Sequence, residues 1–208
     1  MPTMPQPKNP WPKLETATED GRRQRSDRSR RRIIEALFYL IGEGNMSPSA
    51  VNVAARADVG LRTVFRHFED MDSIYDEMTA ELTKAVTPKI KAPFKTTTWR
   101  ERLMESVEKR ADIYETVFPM KVCMSLRRFQ SDFIKAQYER DVSLMRSSLK
   151  SILPKEISSN RTLFAALETA LAFTTWRRLR QDQNLSVENA KESIRLMLNG
   201  LVADIDVG

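Results

Sequence analysis

Apolar side chains recur at helical spacing over most of this chain, and nowhere do they alternate as a half-buried strand requires. The first stripe is Ile33, Ile34, Leu37, Phe38, Leu40 and Ile41, on an amphipathic helix that starts near Asp27 and is stopped by Gly42 and Gly44. Ser47 followed by Pro48 reads as an N-cap with proline at the first helical position, where a missing N–H costs nothing. A short helix then runs through Val51, Ala54 and Ala55 to residue 57. After a break at Asp58-Val59-Gly60, residues 61–67 form a further short helix in which Val64 and the following Phe68 stack four apart. Residues 71 to about 86 carry Ile74, Met78 and Leu82 behind an acidic N-terminus that suits the helix dipole, and Pro88 and Pro93 close the unit. Beyond it the pattern predicts helices over 99–117, 120–129, 132–153, 161–181 and 187–202, with breaks at Pro119, Pro154 and the Asn184/Ser186 region.

The expected architecture is therefore all-α: three short helices in front and a helical bundle of longer ones behind. Five of the ten prolines fall in residues 1–12, so residues 1–24 are expected to be a disordered tail. Residues 25–86 and 87–208 are expected to be two folded domains. No apolar run approaches the ~18 residues of a membrane span, and residues 1–25 hold prolines and charges where a secretory signal needs an apolar core. With Cys123 as the one cysteine, no intrachain disulfide is possible, and a reducing cytoplasm fits best.

Charge divides unevenly. Residues 22–32 hold seven arginines (Arg22, Arg23, Arg25, Arg28, Arg30, Arg31, Arg32) against Asp27, whereas residues 33–86 hold four basic and nine acidic side chains. Three small helices joined by tight turns, preceded by an arginine-rich arm, suit double-stranded DNA: the major groove admits one helix, and the phosphate lattice attracts the arm. The motif Ala57-Asp58-Val59-Gly60-Leu61-Arg62-Thr63-Val64-Phe65-Arg66-His67-Phe68, followed by Ile74, resembles the DNA-binding domain of the TetR family of transcriptional regulators. The resemblance extends over residues 33–78, about a quarter of the chain.

That resemblance implies a positioning helix over 47–57, opened by Ser47, and a recognition helix over Leu61–His67. It places Thr63, Phe65 and His67 at DNA, and Arg62 and Arg66 at variable positions of the reading surface, where arginine can pair bidentately with guanine. Arg28, Arg30 and Arg31 are expected to reach the backbone or an adjacent minor groove from the arm. Three departures stand out. Asp58 replaces the usual turn glycine, Phe65 the usual tyrosine and Met71 a backbone-gripping lysine.

The resemblance further implies a homodimer on a palindromic operator, released from DNA by a small hydrophobic effector. The broad apolar faces of 161–181 and 187–202 suit a two-fold four-helix interface. Of the aromatics and methionines in the second region, Met104, Phe118, Met124, Phe129, Phe133 and Trp176 are the candidates to line an effector cavity. Two other classes compete: an architectural or regulatory DNA-binding protein without an effector, and a helical enzyme. Against the latter, the single histidine, His67, has no convincing catalytic partner, and neither a metal-spaced His/Cys cluster nor a phosphate-cradling glycine loop is present. No catalytic residue, metal ligand or cofactor is expected.

Overall fold

The computed structural model describes residues 21–206, with side chains from Arg25 onward. The expected tail lies outside the described residues except for 21–24, which are already helical. Every regular element described is helical: α1 (Gly21–Gly42), α2 (Ala50–Ala57), α3 (Leu61–His67), α4 (Met71–Lys91), α5 (Trp99–Arg127), α6 (Asp132–Ile152), α7 (Lys155–Ser159), α8 (Arg161–Ala170), α9 (Phe173–Arg177), a π-helical turn at Arg178–Asp182, and α10 (Val187–Leu201). None of these is long and apolar enough to cross a membrane.

Two compact units result. The head unit comprises residues 21–87 with Pro119–Tyr138; the bundle unit comprises Pro88–Phe118 with 139–206. In the head, Ile33, Leu37 and Ile41 of α1 are fully buried together with Val53 of α2, Val64 of α3 and Tyr75 and Met78 of α4. The segment 119–138 adds Met120, Cys123 and Ile134 to this core. The Cys123 thiol donates to the Met46 carbonyl (3.3 Å) and lies 3.7 Å from the Tyr75 hydroxyl, and burial pushes both the thiol and the phenol above their ordinary pKa ranges. In the bundle, Leu103, Val107 and Tyr114 of α5 are buried, as are Leu149 of α6, Phe164 and Leu167 of α8, Trp176 of α9 and Ile194 and Leu198 of α10.

Several boundaries differ from the sequence pattern, each for a physical reason. The helix expected from 47 opens at Ala50: Ser49 is the N-cap, its hydroxyl accepting from the Asn52 amide while the Asn52 side chain accepts from the Ser49 amide. Ser47 stays outside the helix and exposed. Pro88 and Pro119 sit inside α4 and α5 instead of ending them. An interior proline costs roughly 3 kcal/mol, and burial of Val117, Met120 and Cys123 around Pro119 offsets that loss. The single turn α7 was too short to leave a periodic signature; its Ile157 is buried.

The span 161–181 is not one helix. α8 ends at Ala170, Ala172 is extended, and α9 restarts at Phe173. The Leu171 carbonyl at this break accepts from the Tyr114 hydroxyl (2.9 Å) and from Arg110 Nη1 (3.3 Å), long-range contacts that a local pattern cannot register.

The corrected cap is directly testable. Ser49→Ala should lower stability by about 1 kcal/mol through loss of the capping box, whereas Ser47→Ala should leave the urea midpoint unchanged. Equal effects of the two substitutions would restore Ser47 as the cap.

Candidate nucleic-acid interface

The turn between α2 and α3 is set by its backbone hydrogen bonds. Val59 N–H reaches the Ala54 carbonyl (3.0 Å) and Asp58 N–H the Ala55 carbonyl (3.2 Å), the paired bonds of a Schellman ending with Asp58 in the left-handed region (φ 51°, ψ 52°). Aspartate tolerates that region better than most residues. Its exposed carboxylate is also met by Arg32 of α1 at 3.1 Å, and the same guanidinium donates to its carbonyl at 3.3 Å. Gly60 then caps α3 without a side chain.

In α3, Val64 is buried, as is Phe68 immediately after it, and this turns the opposite side outward. Leu61, Arg62, Phe65 and Arg66 are exposed there, with Phe65 half in solvent; Thr63 and His67 are half-buried at the edges. Of the nearby α2 residues, Val51 and Asn52 are exposed. Val51, which the sequence pattern offers as an apolar position of this helix, is exposed, as is Leu61, for which an isolated aliphatic side chain leaves no periodic mark. Met71 is half-buried at the start of α4.

The arginines before residue 33 do not form a separate arm: those at 25, 28 and 30–32 lie on α1 itself. Arg28 is exposed and Arg31 half-buried. Arg30 falls on the inward stripe that continues through Ile34, Leu37 and Ile41. Its Nε donates to Glu77 Oε2 (2.6 Å), its Nη1 donates to the His67 carbonyl (2.7 Å), its Nη2 pairs with Glu77, and its guanidinium stacks 4.4 Å from the Phe68 ring centroid. Arg30 is thus a clamp between α1, the end of α3 and α4, and its guanidinium is engaged within the fold. The same stripe was visible in sequence, but only as apolar positions.

His67 Nε2 is buried without a hydrogen-bond partner. Burial, reinforced by the positive charges of Arg66 and Arg30, holds the imidazole below its ordinary value of 6.5 and therefore neutral near pH 7.

The six side chains expected to line an effector cavity are divided between the units. Met104 borders a bundle groove of about 480 Å³ that also involves Thr96, Arg100, Glu108, Asn199 and Val202. Phe118 packs edge-on against Phe173 (5.5 Å between centroids), and buried Trp176 donates its indole N–H to Glu115 at 2.9 Å. In the head unit, Met124 is buried and accepts from the Thr79 hydroxyl, Phe133 is half-buried, and Phe129 is 78% exposed beside Arg128. Phe129 therefore does not line an enclosed wall of its unit.

No protein-family model and no curated protein sequence matches the chain. Among solved structures, its fold is similar to that of a transcriptional regulator from Rhodococcus sp. Rha1, with a TM-score of 0.66 and 14% identity, over 88% of this chain and 98% of that one. It is similar also to a Clostridium perfringens fatty acid metabolism regulator, with a TM-score of 0.58 and 13% identity, over 85% of this chain and 100% of that one. At these identities the likeness is one of fold, a helical helix-turn-helix head followed by a bundle.

The His67 environment gives stability a defined pH dependence. Between pH 6.5 and the lowered folded value, the unfolded chain binds a proton that the folded chain refuses, so stability falls as pH drops through this window. Chemical denaturation from pH 7.5 to 5 should show this loss, and His67→Gln should reduce it. An equal slope in the two proteins would assign the loss to other groups.

Proposed function

We propose that this chain is a sequence-specific DNA-binding transcriptional regulator that reads a major groove with α3. The observation that carries this is the split of a seven-residue helix. Val64 and the adjoining Phe68 are locked inward, while Arg62, Phe65 and Arg66 are held together on the open side. On DNA, Arg62 and Arg66 pair with base edges, and Phe65 offers an apolar face for thymine methyl groups. Thr63, His67 and Ser47 approach the backbone, with Arg28 and Arg31 adding positive charge from α1. Arg30 serves this surface indirectly, by holding the end of α3. The similarity in fold to transcriptional regulators supports the same assignment.

In the fuller form of the proposal the chain is a TetR-like repressor, homodimeric on a palindromic operator and released by a small hydrophobic effector. The name of one structural neighbour refers to fatty acid metabolism, in keeping with an apolar effector. Support for pairing of two copies comes from α10, where Leu196 (76% exposed) and Met197 face solvent, while Ala190, Ile194 and Leu198 are already buried inside the unit.

Footprinting on DNA flanking the chain's own gene tests the proposal, and two protected half-sites about one helical turn apart are expected. Arg62→Ala and Arg66→Ala should each weaken specific binding by about 1–3 kcal/mol while leaving competitor DNA affinity nearly unchanged. Uniform loss on all sequences would make both arginines phosphate contacts.

Sedimentation tests the pairing. The 24.0 kDa chain should migrate at twice that mass, and Leu196→Glu with Met197→Glu should give a folded monomer with weakened operator binding. Leu167 and Leu198, within the apolar faces of 161–181 and 187–202, are fully buried within one copy and would report on the core. A wild-type monomer at micromolar concentration would remove the dimer from the proposal.

A further inference from the structure

We infer that Arg110 is the anchor for the charged end of an anionic effector, a carboxylate on an apolar body, taken up in the bundle unit where the chain breaks at Leu171. This rests on the reading of the chain as a ligand-responsive regulator and adds the chemical class of the ligand.

Arg110 is 6% exposed, on the inward stripe of α5 that includes Leu103, Val107 and Tyr114. Its Nη1 donates to the Leu171 carbonyl (3.3 Å) and its Nη2 to the Met145 carbonyl (2.7 Å). Among the described residues it belongs to no ion pair. Four acidic groups of the bundle are paired elsewhere: Glu115 with Arg180, Glu108 with Lys191 and Arg195, Glu168 with Arg146, and Asp112 with Lys89. A guanidinium out of water without a counter-charge is unfavourable.

The fold gains little from it in return. Met145 lies inside α6, where its carbonyl already has a helical partner, and the Leu171 carbonyl is also satisfied by the Tyr114 hydroxyl at 2.9 Å. An apolar side chain at position 110 would continue the stripe. What the arginine does provide is convergence: two donors, Arg110 Nη1 and the Tyr114 hydroxyl, point at a single oxygen. An anionic oxygen in place of the Leu171 carbonyl would meet both, and the forked guanidinium would donate to a carboxylate bidentately.

The surroundings suit an apolar body. Tyr114 and Phe173 pack edge-on at 5.4 Å, Phe173 and Phe118 at 5.5 Å, and Trp176 lies 6.5 Å from Tyr114. Beside Met145, α6 is thinly covered, with Val142 and Leu144 exposed. One uncompensated cation matches one negative charge, which selects a monoanion such as a carboxylate over a phosphate dianion.

The test uses the full chain with four probes: octanoate, 3-phenylpropionate and their alcohols, 1-octanol and 3-phenyl-1-propanol. Calorimetry should show the acids binding at least about tenfold more tightly than the matched alcohols. Arg110→Met should erase that preference without lowering Tm, and Tyr114→Phe should weaken only the acids. Acids and alcohols that behave alike on the wild-type protein, whether both bind or neither does, overturn the proposal, as does a preference that survives Arg110→Met. A lower Tm for that variant makes the arginine structural and overturns it as well. Footprinting without any probe reports on the DNA-binding reading separately, and alcohols that bind as well as acids would leave an apolar effector while removing the charge.

Discussion

A helix of seven residues cannot hold itself together in water, since nucleation costs more than so few hydrogen bonds return. Everything around α3 follows from that constraint. Val64 and Phe68 anchor it below, the Schellman turn at Asp58 fixes how the chain enters, and Arg30 fixes how it ends. Arg30 satisfies the last-turn carbonyl of His67, neutralises Glu77 and covers the Phe68 ring, so one side chain joins three helices. An exposed face carrying two arginines and a phenylalanine is possible because none of the three is needed to keep the helix in place.

The bounds of α3 were readable to the residue, because Gly60 and the Val64/Phe68 pair are local signals for its start and inward side. The all-helical class was likewise legible from apolar spacing. What local reasoning missed are features decided at a distance. The Leu171 carbonyl at the break between α8 and α9 is met by the Tyr114 hydroxyl, 57 residues earlier in the chain. Pro119 continues a helix because residues on both sides are buried, which no proline rule foresees. The N-cap moved from Ser47 to Ser49 because Asn52 completes a reciprocal pair only with the latter.

Two arginines share a feature that local patterns hide. The sequence places Arg30 in a basic run expected to meet DNA and gives Arg110 no motif of its own, yet each occupies the position on its helix where periodicity calls for an apolar side chain. The rule that hydrophobic residues point inward reads such a position as noise, and the structure makes it information. At Arg30 a carboxylate answers the charge; at Arg110 only carbonyls do. The net positive charge of the chain therefore overstates what the head offers a polyanion, since Arg30 and Arg32 are both paired inside it.

Cys123 is the only cysteine, and its thiol is sealed among Met46, Tyr75 and the rest of the head core. Thiol chemistry on the native protein is consequently silent. A cysteine introduced at any exposed site could carry a fluorophore or spin label without background, and the native thiol would become reactive only when this part of the head opens. The molecule thus contains its own chronometer: the rate at which Cys123 yields to an alkylating reagent measures how often the core around Met46 and Tyr75 comes apart.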